Sequence, residues 1–200
     1  MKREGNTKER ILTEAMTLFS VYGYEAVSVR TIADAVGVGN SALYKHYKSK
    51  QEILDAIVER CRKHFLEKSK EIVKLQSYEI RNLEQFCLEM FLFQTTDMWM
   101  VTFRKILLME QFKNPELAAL YKSCFIELPV NSMEKIFEKL VEMGVMKKKN
   151  CRVLAMELYA PFFLYHLAAD NTEELMPLFR CHVNYFFEEN FKEKQMGDEK

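Results

Sequence analysis

Glycine and proline are scarce, at six and four among 200 residues. That is too few for the many turns of an all-β chain, and it excludes collagen-like or linker-rich architectures. Neither sign of charge prevails: 29 Lys+Arg meet 29 Asp+Glu. A histone-like polycation and an acidic disordered tail are both excluded. No apolar run reaches the ~18–20 residues that a membrane span needs; the stretch from Leu158 to Ala169 is broken by Pro161 and His166. The chain opens with the polar Met1-Lys-Arg-Glu-Gly-Asn rather than a secretory signal, so a soluble, cytoplasmic protein is expected. The five cysteines at 61, 87, 124, 151 and 181 are odd in number and form no CxxC, a poor disulfide framework. No nucleophile elbow, P-loop, HExxH or GxGxxG occurs, so nothing points to an enzyme or to a cofactor.

What the chain does have is an internal division. Residues 1–64 hold 11 Lys+Arg against 8 Asp+Glu, whereas residues 65–200 hold 18 against 21. Fourteen of 15 Phe and ten of 12 Met lie after residue 64. A compact, mildly basic module thus precedes a module rich in large, soft apolar side chains. Helical spacing runs throughout, with no strand-like alternation of useful length, so an all-α fold is expected. Asn6 with Glu9 reads as a capping box for a first helix stopped by Gly23, and Ser49 with Glu52 as another. Asn114-Pro115 reads as a cap followed by an N1 proline, with that helix ending near Glu127 and Pro129 starting the next. The last two helices are expected at about 150–169 and 172–194.

The segment Ser28 to Lys50 carries the sharpest signal. Two short helices joined by Gly37-Val38-Gly39 make a helix-turn-helix. Ala33 is small where the helices must cross, Gly37 permits a positive φ, and Ile32, Val36, Val38 and Leu43 supply the core. Asn40, Ser41, Ala42, Lys45 and His46 are left facing outward on the second helix, where such a helix can enter the major groove. Lys45, Lys48 and Lys50 cluster behind it, and the amides of the helix capped by Ser49 suit phosphate. The same spacing also fits a plain helical hairpin with a solvated basic face.

The block Thr31-Ile-Ala…Gly-Val…Leu-Tyr-Lys-His-Tyr-Lys-Ser-Lys closely resembles the DNA-binding domain of the TetR family of transcriptional regulators. Ile11-Leu…Ala15…Leu18-Phe19…Gly23-Tyr…Val27-Ser is similar to that family's first helix and turn. The resemblance covers about residues 7–58. It implies a helix-turn-helix domain over 1–48 and a helical regulatory, ligand-binding and dimerisation bundle over 49–200. It implies that Asn40, Ser41, Ala42, Tyr44, Lys45 and His46 form the recognition helix, with Arg30 near the DNA backbone and Lys50 near phosphate. Asn40, Ser41 and Ala42 stand where the family often has Lys-Gly-Thr, so Ala42 offers only a methyl contact, as to thymine.

In the second module, Phe86, Met90, Trp99, Phe103, Phe125, Phe162 and Tyr165 can enclose an apolar cavity, since Met and aromatics suit an adaptable pocket. A filled core is the plainer alternative for each of them. The resemblance implies an inducer site there. Arg104 and Glu157 are the charged residues that could orient a ligand, and Pro161 should kink its helix. Cys61-x-x-His64 and Cys181-His182 gain no third ligand at metal-like spacing, so no metal site is expected. The final helix offers Leu175, Leu178, Phe179, His182 and Phe186 as a dimerisation face, giving a four-helix interface with a second copy.

The expected function is therefore a ligand-responsive repressor that binds a palindromic operator as a homodimer and is released by a small apolar or amphipathic ligand. Two other readings stay open: a thiol-based redox sensor that binds DNA, and a helical adaptor without sequence-specific DNA binding.

Overall fold

The computed structural model describes residues 2–72, 80–168 and 172–192, with the side chains of 2–6, 80, 166, 168, 172 and 173 left undescribed. The protein is all-α. In chain order the helices are α1 (Lys2–Tyr22), α2 (Val29–Val36), α3 (Asn40–His46), α4 (Lys50–Ile72), α5 (Ile80–Thr96), α6 (Met98–Glu110) and α7 (Pro115–Lys122). A five-residue π-helical turn (Ser123–Glu127) leads into α8 (Leu128–Glu142), followed by α9 (Cys151–Ala168) and α10 (Thr172–Asn190). Residues 76–79 (Gln-Ser-Tyr-Glu), a weak break in the helical spacing, lie outside the described residues, as does the tail 193–200.

Two compact units emerge. One joins residues 1–70 to 97–122, and the other joins 71–96 to 123–200. The divisions fall away from residue 48: α4 and the α6–α7 segment cluster with the amino-terminal helices. The buried stripe Ile53, Leu54, Ile57 and Cys61 on α4 and the buried Phe103, Ile106 and Leu107 on α6 supply much of that unit's core. Within it α1 packs on α2 and on α6.

The caps mostly follow the sequence. Ser28 Oγ accepts the Thr31 amide at 3.0 Å, and Ser49 Oγ accepts the Glu52 amide at 3.0 Å. Glu52 reaches back to the Lys48 amide, one residue before the expected box partner. Asn114 Oδ1 accepts the amides of Glu116 and Leu117 at 3.0 and 3.2 Å. Asn6 does not begin α1, because the helix already runs from Lys2; Lys2, Arg3 and Glu4 are straight-chain helix formers that carry it past the cap signal. Pro129 does open a helix, as expected, one residue after α8 begins at Leu128. It sits in the first turn of α8, where its missing N–H and fixed φ are tolerated.

The second unit is built on phenylalanine. Phe91 of α5 stacks on Phe179 of α10 with centroids 4.0 Å apart, and Phe162 of α9 meets both edge-on at 5.3 and 4.8 Å. Val183 and Phe187 of α10 are fully buried, and Phe186 is nearly so. This corrects the expected dimerisation face. Phe179 and Phe186 lie one heptad apart with Val183 between them, and that stripe turns inward against α5 and α9. Leu178, Cys181 and Tyr185 are among the residues that α10 exposes, while Leu175 and His182 are half-buried. Also shorter than expected, α10 stops at Asn190 because the backbone turns aside to pair. The Lys147 amide donates to Asn190 O at 2.9 Å and the Lys192 amide to Val145 O at 3.0 Å.

Candidate nucleic-acid interface

The helix-turn-helix forms for reasons local to its sequence. Gly37 closes α2 at φ 73°, ψ 36°, the left-handed conformation that only glycine adopts freely. The Gly37 and Val38 amides then return to Asp34 O and Ala33 O at 3.1 and 3.0 Å. Ile32, Ala33, Val36 and Leu43 are buried to within 1% or less of exposure, so each short helix is held by its inner face alone. Val38 is half-buried over the turn.

With Leu43 inward, most of α3 faces out. Asn40, Ser41, Tyr44 and Lys45 are exposed, and Ala42 and His46 are half-buried. Arg30 is exposed on α2, 3.9 Å from Asp34 one turn on, a surface pair worth at most a few tenths of a kcal/mol. The Lys48 ammonium donates to Tyr44 O at 2.9 Å.

Lys50, expected near phosphate, has partners within the protein. Its ammonium donates to Tyr24 O at 2.8 Å and Glu25 O at 3.3 Å, and lies 4.3 Å from the Tyr24 ring centroid. In this structure it holds the protein's own α1–α2 connection. Sequence reading also missed three supports of the domain. Arg10 donates to Val36 O at the end of α2, Lys8 lies 5.3 Å over the Tyr47 ring, and Glu110 Oε1 accepts the Tyr24 amide at 2.8 Å. The one available signal was Glu110 itself, a lone acid closing the apolar run Ile106-Leu-Leu-Met109. Tyr47 is buried, and burial pushes its hydroxyl up to about 12, with the Glu52 carboxylate adding to the shift.

The residues expected to line a cavity divide between the units. In the second, Met90, Phe125 and Phe162 are buried and Phe86 and Tyr165 half-buried, with Tyr165 edge-on to Phe91 at 5.5 Å. The Tyr159 hydroxyl donates to Phe125 O, in the π turn, at 2.7 Å. In the first, Phe103 is buried and Trp99 carries the Arg60 guanidinium 4.2 Å over its ring, while Arg60 also pairs with Glu9. Arg104 is buried and Glu157 exposed. Pro161 sits inside α9 without ending it.

Among the described residues no three His, Cys, Asp or Glu side chains gather as a metal set. His64 Nε2 lies 2.8 Å from Asp97 Oδ2, and His182 Nε2 lies 3.3 Å from Leu158 O; the His166 side chain is outside the described residues. Burial pushes the Cys87 thiol up to about 12 and raises that of Cys151, which disfavours the reactive thiolate at both. No described helix is long and apolar enough to cross a membrane.

The family description "Bacterial regulatory proteins, tetR family" matches residues 11–57, the span from α1 into α4 that builds the helix-turn-helix. Residues 11–57 therefore carry a domain of that family. The biofilm operon icaADBC HTH-type negative transcriptional regulator IcaR of Staphylococcus epidermidis is 37% identical over 60 residues, 30% of this chain and 32% of that protein. The HTH-type transcriptional repressor KstR2 of Rhodococcus jostii is 38% identical over 66 residues, 33% of this chain and 32% of that one. The matched stretch thus spans about a third of each relative. The SmeT–triclosan complex shares the fold over 98% of this chain and 96% of its own, with a TM-score of 0.73 at 21% identity. The TetR-family domain is therefore shared in sequence, whereas the helices after it are shared as fold.

Proposed function

We propose that this TetR-family protein is a ligand-responsive repressor that binds a palindromic operator as a homodimer and is released by a small lipophilic ligand. The observation that carries the reading is α3. Its Leu43 is fully buried behind the left-handed turn at Gly37, while Asn40, Ser41, Tyr44 and Lys45 are presented together on its outer side. A helix held only by its inner face, with polar residues at its free N-terminal end, has the form that reads base edges in the major groove. Arg30, Ala42 and His46 flank that set, and Lys50 would reach phosphate only by leaving the Tyr24 carbonyl. Residues 1–48 are the reading head in this proposal, and residues 49–200 regulate it, in the cytoplasm and without catalysis or a cofactor.

Repression is favoured by the relatives, a negative regulator and a repressor. The solved neighbour in complex with triclosan favours a lipophilic ligand, and so does the aromatic density around Phe91, Phe162 and Tyr165. Dimerisation is assigned to the faces that α9 and α10 leave exposed: Phe163, Leu164 and Leu167 on the first, Leu178 and Tyr185 on the second. Isolated surface leucines are ordinary, but several of them on adjoining helices mark an interaction surface. A ligand that prefers the DNA-incompetent conformation then shifts the population away from the operator.

Selection of duplexes from a random pool tests the reading directly. The expected result is one enriched palindrome, bound by a dimer in sedimentation and released by hits from a thermal-shift screen of lipophilic compounds. A pool that enriches no sequence would remove the proposal and leave a helical adaptor.

A further inference from the structure

Glu110 is the last residue of α6 and is 2% exposed. A carboxylate is rarely buried so deeply unless it is given partners. One oxygen has a defined role: Oε1 accepts the Tyr24 amide at 2.8 Å. The other, Oε2, is buried without a hydrogen-bond partner, a costly state that a purely structural apolar contact would avoid. The site is shaped around the first oxygen. Gly23 precedes the gripped amide at φ 84°, and a Cβ there would lie 2.9 Å from Oε1. The left-handed φ favours glycine here, and a Cβ would also push against the carboxyl end of Glu110.

The same peptide group neighbourhood is held from its other end. Lys50, the first residue of α4, donates to Tyr24 O at 2.8 Å and covers the Tyr24 ring. Tyr24 therefore has the Glu110 carboxyl group on its N–H and the Lys50 ammonium on its C=O, the second a charge-assisted interaction. Its hydroxyl is also 3.0 Å from Gln51 Oε1 on α4. Tyr24 opens the connection that enters α2, and α2 carries α3 through the Gly37 turn. The entry to the reading head is thus tied by named polar groups to α4 and to α6.

We infer that Glu110 is a positioning residue for DNA reading: it fixes the Tyr24 peptide, and through it the placement of α2 and α3, without touching DNA. The inference rests on the proposed DNA-binding function. Direct readout needs the reading side chains held within about 0.5 Å of their contact geometry, and such residues depend on supporting hydrogen bonds behind them. Electrostatic attraction to phosphate tolerates far looser placement, because it carries no sequence information. Loss of the Glu110 contact should therefore weaken specific binding while sparing non-specific binding.

The test compares full-length wild type, Glu110→Ala and Glu110→Gln on the duplex enriched by wild type and on a scrambled duplex of equal length. All measurements are made well below each protein's melting temperature. Glu110→Ala is expected to lose about tenfold on the selected duplex, with scrambled-duplex affinity within about twofold and an unchanged salt slope. Glu110→Gln keeps an acceptor oxygen and should recover to within about threefold of wild type. Equal losses on both duplexes, an unchanged Glu110→Ala, or a Gln variant as weak as the Ala variant would each overturn the inference. Amide exchange in the wild type gives a check that no variant's folding can obscure. The Tyr24 amide should exchange far more slowly than those of the exposed Glu25 and Ala26, and equal rates would overturn the inference. Failure of the wild type to select any duplex would instead sink the DNA-binding reading on which it stands.

Discussion

Helices α3 and α10 solve opposite problems. The first has seven residues and one buried side chain, Leu43, and everything else on it faces outward or sits at the margin. The second has nineteen residues and sends Phe179, Val183, Phe186, Phe187 and Asn190 into the core. The outward face of α3 is specified by a short local motif, so residue identities and spacing suffice to read it. For α10, several apolar stripes compete, and which one turns inward depends on what α5 and α9 present to it. The difference teaches that function read from a surface is legible locally, whereas burial is a relation between distant segments.

The largest test of this contrast removes the packing of α10. Phe179→Ala should destabilise the fold by about 3–5 kcal/mol in denaturant unfolding, because a fully buried ring stacked on Phe91 leaves a cavity. The folded fraction should still select the same duplex. A loss under about 1 kcal/mol would mean that Phe179 is not the core residue described. Next comes the face that α10 exposes. Leu178→Glu should shift the protein toward monomer in sedimentation, since an unpaired charge desolvated at an interface costs about 3 kcal/mol. An unchanged dimer would move the interface elsewhere.

On α3 the effects should be smaller and should concern sequence rather than folding. Asn40→Ala should cost about 1–3 kcal/mol at a single base pair, with thermal stability nearly unchanged. A uniform loss across all sequences would assign Asn40 to phosphate instead. Gly37→Ala isolates the backbone, because a Cβ there meets nothing within 4 Å. Its cost should be about 1–2 kcal/mol of left-handed strain, and Gly37→Asn should recover part of it. Smallest is Tyr47→Phe, which deletes a buried hydroxyl without a hydrogen-bond partner. Thermal unfolding should show no loss and a gain of up to about 1 kcal/mol, with DNA binding unaltered. A clear destabilisation would reveal a partner for that hydroxyl.

The all-α class, the caps at Ser49 and Asn114, and the turn at Gly37 were legible in the sequence. The sequence also placed Asn40, Ser41 and Lys45 on the outer side of α3, because Leu43 packs inward, whereas Ala42 and His46 are half-buried and Tyr44 is exposed. These are local consequences of backbone sterics, unsatisfied helix-end amides and helical periodicity. Only the tertiary structure decided that Lys50 grips Tyr24 O, that Glu110 reaches back 86 positions to the Tyr24 amide, and that Phe179 and Phe186 are core. A lysine beside other lysines, or a phenylalanine on a striped helix, carries no mark of its partner. The partner lies tens of residues away, and the free energy of burying a side chain exists only once chain folding has brought the two surfaces together.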